Sequence, residues 1–165
     1  MEVILNRVAV YLHHLHVDGF NYFEFEINAK NVTWTLTMDR PWQDGGSGQT
    51  MDVDGLKTAV HVDGTVNNPL DVDKSWSCEV AIPWNFLKVL VHPSVTPKLP
   101  PINTPGFRAN GARLNWGVDI TEDGQILKNP DTIDSTLAHN WVWSPTGPES
   151  LIHMPNQWGN FIFTD

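Results

Sequence analysis

A chain of 165 residues, 41% hydrophobic and 18% charged, is long enough for one domain with a true core, and no apolar run approaches the ~20 residues that a membrane-spanning helix needs. Ten Lys plus Arg stand against 19 Asp plus Glu, and the resulting charge of −9 repels a phosphate backbone, which argues against nucleic acid as a partner and leaves neutral ligands and divalent cations open. Cys78 is the only cysteine, so no disulfide can form within the chain, and residues 1–10 lack the basic start and long apolar stretch of a signal peptide.

Along the chain the dominant signal is alternation of apolar and polar residues rich in aromatic and β-branched types, the pattern of strands with one buried face. A first strand is expected over 8–14. In 21–28, Phe23, Phe25 and Ile27 form an inward set, and Tyr22, Glu24, Glu26 and Asn28 an outward one. Strands follow at 32–37 and 56–62, and in 75–82 Trp76, Cys78, Val80 and Ile82 alternate with Ser75, Ser77, Glu79 and Ala81. Pro83 suits the first turn of one short helix over 84–90, and the five prolines of 93–105 imply an extended connection. The last strands are expected at 112–120, with Ala112, Leu114, Trp116, Val118 and Ile120 inward, at 141–143 and at 160–164. Asp-Gly and Asn-Pro turns separate these segments. The expected fold is all-β: an antiparallel β-sandwich, jelly-roll or immunoglobulin-like, with one short helix, as a single domain over 1–165.

Five blocks carry a resemblance: NYFEFEINA at 21–29, GLKTAVH at 55–61, WSCEVAIPW at 76–84, NWVWS at 140–144 and HMPNQWGNF at 153–161. In content and order they resemble the family 9-like carbohydrate-binding modules attached to xylanases and other glycan-degrading enzymes. The resemblance implies non-catalytic binding of a xylan- or cellulose-type polysaccharide or oligosaccharide, and an extracellular setting. Members usually have further strands upstream of the first block, so the N-terminal strands are expected to be incomplete here. Two tryptophans clamp a terminal sugar in the xylanase-linked members, and one of them would fall near Ile152, which cannot stack.

Glycan recognition needs flat aromatic faces for pyranose rings and planar polar groups for hydroxyls. Of the eight tryptophans, Trp76 and Trp116 sit in inward registers and, with Trp84 and Trp141, are expected in the core. Trp34, Trp42, Trp143 and Trp158 lie at strand ends or beside Gly, Pro or Ser turns. Trp143 is the first candidate platform because it leads into the 146–154 loop, which the family places near its ligand edge. Glu26 and Asn115 fall where the family's sugar-contacting polar groups sit, and Trp34 and Trp158 complete the set. No catalytic pair stands out: Glu24, Glu79, Asp119 and Glu122 read as solvated strand faces or turn caps, no Gly-x-Ser-x-Gly occurs, and Cys78 reads as an inert buried thiol. Histidines at 13, 14 and 16 invite a transition-metal reading, but the loop carboxylates Asp52, Asp54, Asp63, Asp71 and Asp73 suit a structural calcium ion better, although the EF-hand spacing is absent. Asn31-Val32-Thr33 is a glycosylation sequon. The expected function is carbohydrate binding that needs no cofactor; the alternatives are part of an endo-xylanase-type glycoside hydrolase, or a structural remnant without ligand.

Overall fold

The computed structural model describes residues 6–14, 21–68, 70–91, 96, 98–103, 105–129, 139–147 and 152–164. Seven strands form one antiparallel sheet: β1 (Asn6–His14), β2 (Tyr22–Asn28), β3 (Thr33–Met38), β4 (Gly48–Thr50), β7 (Pro105–Asn115), β10 (His139–Val142) and β11 (Gly159–Ile162). The order is β10-β7-β1-β2-β3-β4, with β11 also on β7. Two hairpins stand apart, β5 (Lys57–Asp63) with β6 (Ser75–Ala81), and β8 (Val118–Ile120) with β9 (Ile126–Lys128). The protein is thus an all-β, sandwich-like fold, and among the described residues helical structure is limited to short 3-10 turns.

Alternation explains the second layer. Along β5 and β6 burial switches at every residue, so Val60, Cys78 and Val80 face inward while Lys57, Ser77 and Glu79 stay wet. The inward set packs on Leu12, Phe23, Phe25, Ile27, Phe107 and Ala109, the apolar face of the large sheet. Residues 84–90, where one short helix is expected, close one side of this core with a 3-10 turn at Phe86–Leu90. The tighter turn brings Leu87 and Leu90, three apart, to one side, and both are buried.

Two expectations about strands need correcting. The outward set of β2 is not solvated, because all seven residues of that strand are buried: β1 and β3 flank it, and a second cluster of Tyr22, Leu36, Met38, Ala112, Leu114 and Trp158 covers the other face. The alternation over 112–120 belongs to two elements. Strand β7 ends at Asn115, Gly117 accepts a hydrogen bond from the Asn129 backbone, and Val118 and Ile120 emerge exposed on the β8–β9 hairpin. Upstream, β7 begins at Pro105, inside the segment expected to be a plain connection.

Phe25 has no exposed surface and lies in the larger cluster. Phe25→Ala should therefore lower the unfolding free energy by about 3–5 kcal/mol in urea denaturation. A loss below about 1 kcal/mol would show that this face is not the core.

Candidate functional site

Residues paired directly across antiparallel strands project to the same side of a sheet, so the register sorts the candidate side chains by face. Trp34 pairs with Glu26, and both lie on the face that carries Tyr22 and Leu36. Trp158 packs on that face too. Strand β7 carries Phe107, Ala109, Arg113 and Asn115 on the opposite face, and Trp141 pairs with Arg113 there. Trp143 stands two residues beyond Trp141. The five residues expected to share one sugar site are therefore divided between the two faces of the sheet.

On the Tyr22 face little is open. Glu24 and Glu26 are 4% and 3% exposed, so the solvated carboxylates expected at these positions are closed off, and Glu26 does not present a donor or acceptor to a polymer. Trp158 is 3% exposed; its indole N–H donates to the Ile152 carbonyl at 2.8 Å, and its ring meets Tyr22 edge-on at 5.3 Å. A ring packed in this way is a core wedge and not a sugar platform. Trp34, 38% exposed, is the accessible aromatic of that set. Beside Trp158, the Tyr22 hydroxyl and His153 Nδ1 lie 2.8 Å apart. Burial pulls the His153 pKa down to about 4, whereas the Tyr22 phenol is raised first by burial and then by the nearby charges of Glu24 and Asp39. The neutral imidazole can thus accept the phenolic proton's hydrogen bond.

The opposite face has the more open arrangement. Strand β10 lies on the edge of the sheet, and Trp141 is 68% exposed, against the expectation of a core role. The Arg113 guanidinium sits over its ring, 6.0 Å from the centroid, within the range of a cation–π contact. Trp143, 60% exposed, leans on Phe161 with ring centroids 5.5 Å apart. Gly159 makes this seat, since a Cβ there would come within 2.5 Å of Trp143 Cζ3. Asn115, also on this face, is half-buried.

Arg113 also lines a cleft of about 620 Å³ bounded by the β2–β3 turn and the distal end of the β5–β6 hairpin. Trp76 forms one wall, half-buried at an inward position yet outside the apolar cluster. Asn28, Lys30, Asn67 and Asp73 supply polar groups. Local hydrogen bonds hold both boundaries. Asn28 Oδ1 accepts from the backbone N–H groups of Lys30 and Val32 at 2.9 and 3.0 Å, the short-range bonding that lets Asn31 take φ 60°. Across the cleft, the Thr65 backbone N–H donates to Asp73 Oδ1 at 2.6 Å and its hydroxyl to Asp71 Oδ2 at 2.7 Å.

Asp71 and Asp73 are thus occupied as turn ties. Asp63 accepts from Lys74 Nζ at 2.8 Å, Asp52 and Asp54 are exposed, and among the described residues no three His, Cys, Asp or Glu side chains come together as a metal-ligand set. His13 and His14 lie in β1, but His16 falls outside the described residues. Cys78 lines the cleft, where burial pushes its thiol pKa up.

Sequence reasoning missed Trp141 and Arg113, although the signal existed. Period-two alternation puts Trp141 on the same face as Trp143, so the two rings had to share one environment. Comparisons with known proteins add no relative: no family model, curated protein or solved structure matches the chain.

The depressed His153 pKa gives a pH dependence with a definite sign. The unfolded imidazole takes up a proton near pH 6.5 and the folded one only near 4, so the unfolded chain binds more protons in that window. This contribution to stability is complete above about pH 6.5 and is lost as pH falls toward 4. His153→Gln, whose side-chain carbonyl can still accept from Tyr22, should flatten the fall in melting temperature across the window. An unchanged slope would show that burial does not hold the imidazole neutral.

Proposed function

We propose that the protein is a carbohydrate-binding domain that performs no chemistry itself and holds a polysaccharide against the face formed by Trp141, Trp143, Arg113 and the adjoining cleft. One observation carries the reading: Trp141 presents most of its indole to solvent on an edge strand, and the guanidinium above it also lines a cleft whose wall is Trp76. An exposed tryptophan is costly to keep wet unless it contacts a partner, and its flat face suits the C–H face of a pyranose. Arg113, Asn28 and Asn67 add planar donors of the kind that read sugar hydroxyls. The resemblance to family 9-like modules points to xylan- or cellulose-type glycans, with Trp143 as the residue common to both lines of argument. Against hydrolysis by Glu24 and Glu26 stands their burial, because an acid and a nucleophile must both reach the glycosidic bond.

Affinity for xylo- and cello-oligosaccharides, read by calorimetry, tests the proposal. Trp141→Ala should weaken binding about tenfold or more while changing stability by less than about 0.5 kcal/mol, since the ring is mostly exposed. Trp143→Ala should weaken binding and also cost about 1 kcal/mol through the lost contact with Phe161. Full affinity in the double variant would refute the platform.

A further inference from the structure

We infer that Asn31 is the acceptor of an N-linked glycan, a modification site on the rim of the cleft. The inference stands apart from the glycan-binding reading, since it concerns a saccharide joined covalently to this chain and not one held as a ligand. Asn31-Val32-Thr33 is the one Asn-x-Ser/Thr triplet in the 165 residues, and its middle residue is not proline. Such a triplet by itself is a common accident of sequence. What the fold adds is a position where a bulky, hydrophilic saccharide is compatible with the finished structure.

The triplet spans the turn between β2 and β3 and opens the latter strand. The turn is closed by bonds that leave the acceptor amide out. The Asn31 backbone N–H donates to the Asn28 carbonyl at 3.0 Å, the Asn28 N–H donates to the Val32 carbonyl at 3.1 Å, and Asn28 Oδ1 accepts from the Lys30 and Val32 N–H groups at 2.9 and 3.0 Å. Asn28 is the buried anchor of the turn, and Asn31 is exposed. Thr33, paired with Ile27 at the start of β3, is exposed as well. With φ at 60°, Asn31 sits in the left-handed region, which accounts for an asparagine at 31 but asks nothing of residue 33. A saccharide on Asn31 Nδ2 therefore displaces no core contact and costs the turn none of these bonds.

The donor for such a transfer is an oligosaccharide carried on a lipid diphosphate. Asn31 Nδ2 bonds to C1 of the first sugar, the C1–O bond breaks with its electron pair leaving on the diphosphate, and one amide proton passes to a base of the transferring enzyme. Asn28, Ala29 and Lys30 line the cleft and Asn31 follows them directly, so the saccharide is rooted at the rim and not inside. There it solubilises the turn and bars a second protein from lying flat on it.

The test directs the full chain into the secretory pathway of cultured animal cells behind a cleavable leader and follows the lumenal and secreted protein together. Peptide-N-glycosidase should raise its gel mobility and turn the linked asparagine into aspartate, which mass spectrometry should locate at position 31. Asn31→Gly, which suits a φ of 60°, and Thr33→Ala should each abolish the mobility change, and Thr33→Ser should retain it. Wild-type protein that carries no glycan would overturn the inference, as would a glycan that survives in both Asn31→Gly and Thr33→Ala. Neither outcome bears on affinity for free oligosaccharides, so the glycan-binding reading stands or falls separately.

Discussion

Strand β7 is hydrogen-bonded along both edges, and the rest of the sheet is laid out from it. Its eleven residues pair with β1 on one side over 107–115. The other side is shared end to end: β10 takes 112–115 and β11 takes 105–109, with the Trp143 backbone N–H donating to Gly111 between them. Two strands far apart in sequence thereby become neighbours on one edge. This sharing brings the Trp143 ring against Phe161 and over the bare backbone of Gly159. It also puts Arg113 opposite Trp141. Ladder hydrogen bonds fix such relations firmly, because a slip of one residue would send every side chain of β10 to the wrong face.

The two faces of the sheet have different fates for a physical reason that lies in what covers them. One face receives the β5–β6 hairpin, whose alternating residues interdigitate with Phe23, Phe25 and Ile27. The hairpin does not reach the whole sheet, and its distal end diverges around a cleft where Trp76 and Arg113 face common solvent. The other face receives the segment around Ile152 and Trp158, which shuts over Tyr22 and Leu114. Glu24 and Glu26 on that face are buried and both have interaction partners, as a buried carboxylate requires.

Trp141 and Trp143 lie together at the edge of the hairpin-covered face, whereas the exposed Trp34 stands on the other face and Trp42 packs against His153. A ring that leans on another ring and on glycine backbone loses little freedom when a ligand arrives, which reduces the entropic penalty of binding. Asp71 and Asp73, two of the loop carboxylates, tie the turn at Thr65 through local hydrogen bonds.

By itself the sequence determined the all-β class, the position of most strands and the inward set of β5, β6 and the Phe23–Ile27 side of β2, because a period of two is a local property and shows in any seven-residue window. Asp-Gly and Asn-Pro turns likewise declared themselves locally. Tertiary structure alone decided which polar faces stay wet: Glu24 and Glu26 have the pattern of solvated residues, yet both are buried. It also decided the fate of the tryptophans. Trp141 and Trp158 are equally apolar and both end in or beside strands, yet one lies at a free edge and the other under a cluster, a difference of long-range pairing that no local window contains. The cleft has the same origin, since Arg113, Asn28 and Trp76 come from three strands whose meeting depends on register and layer packing and not on sequence neighbours.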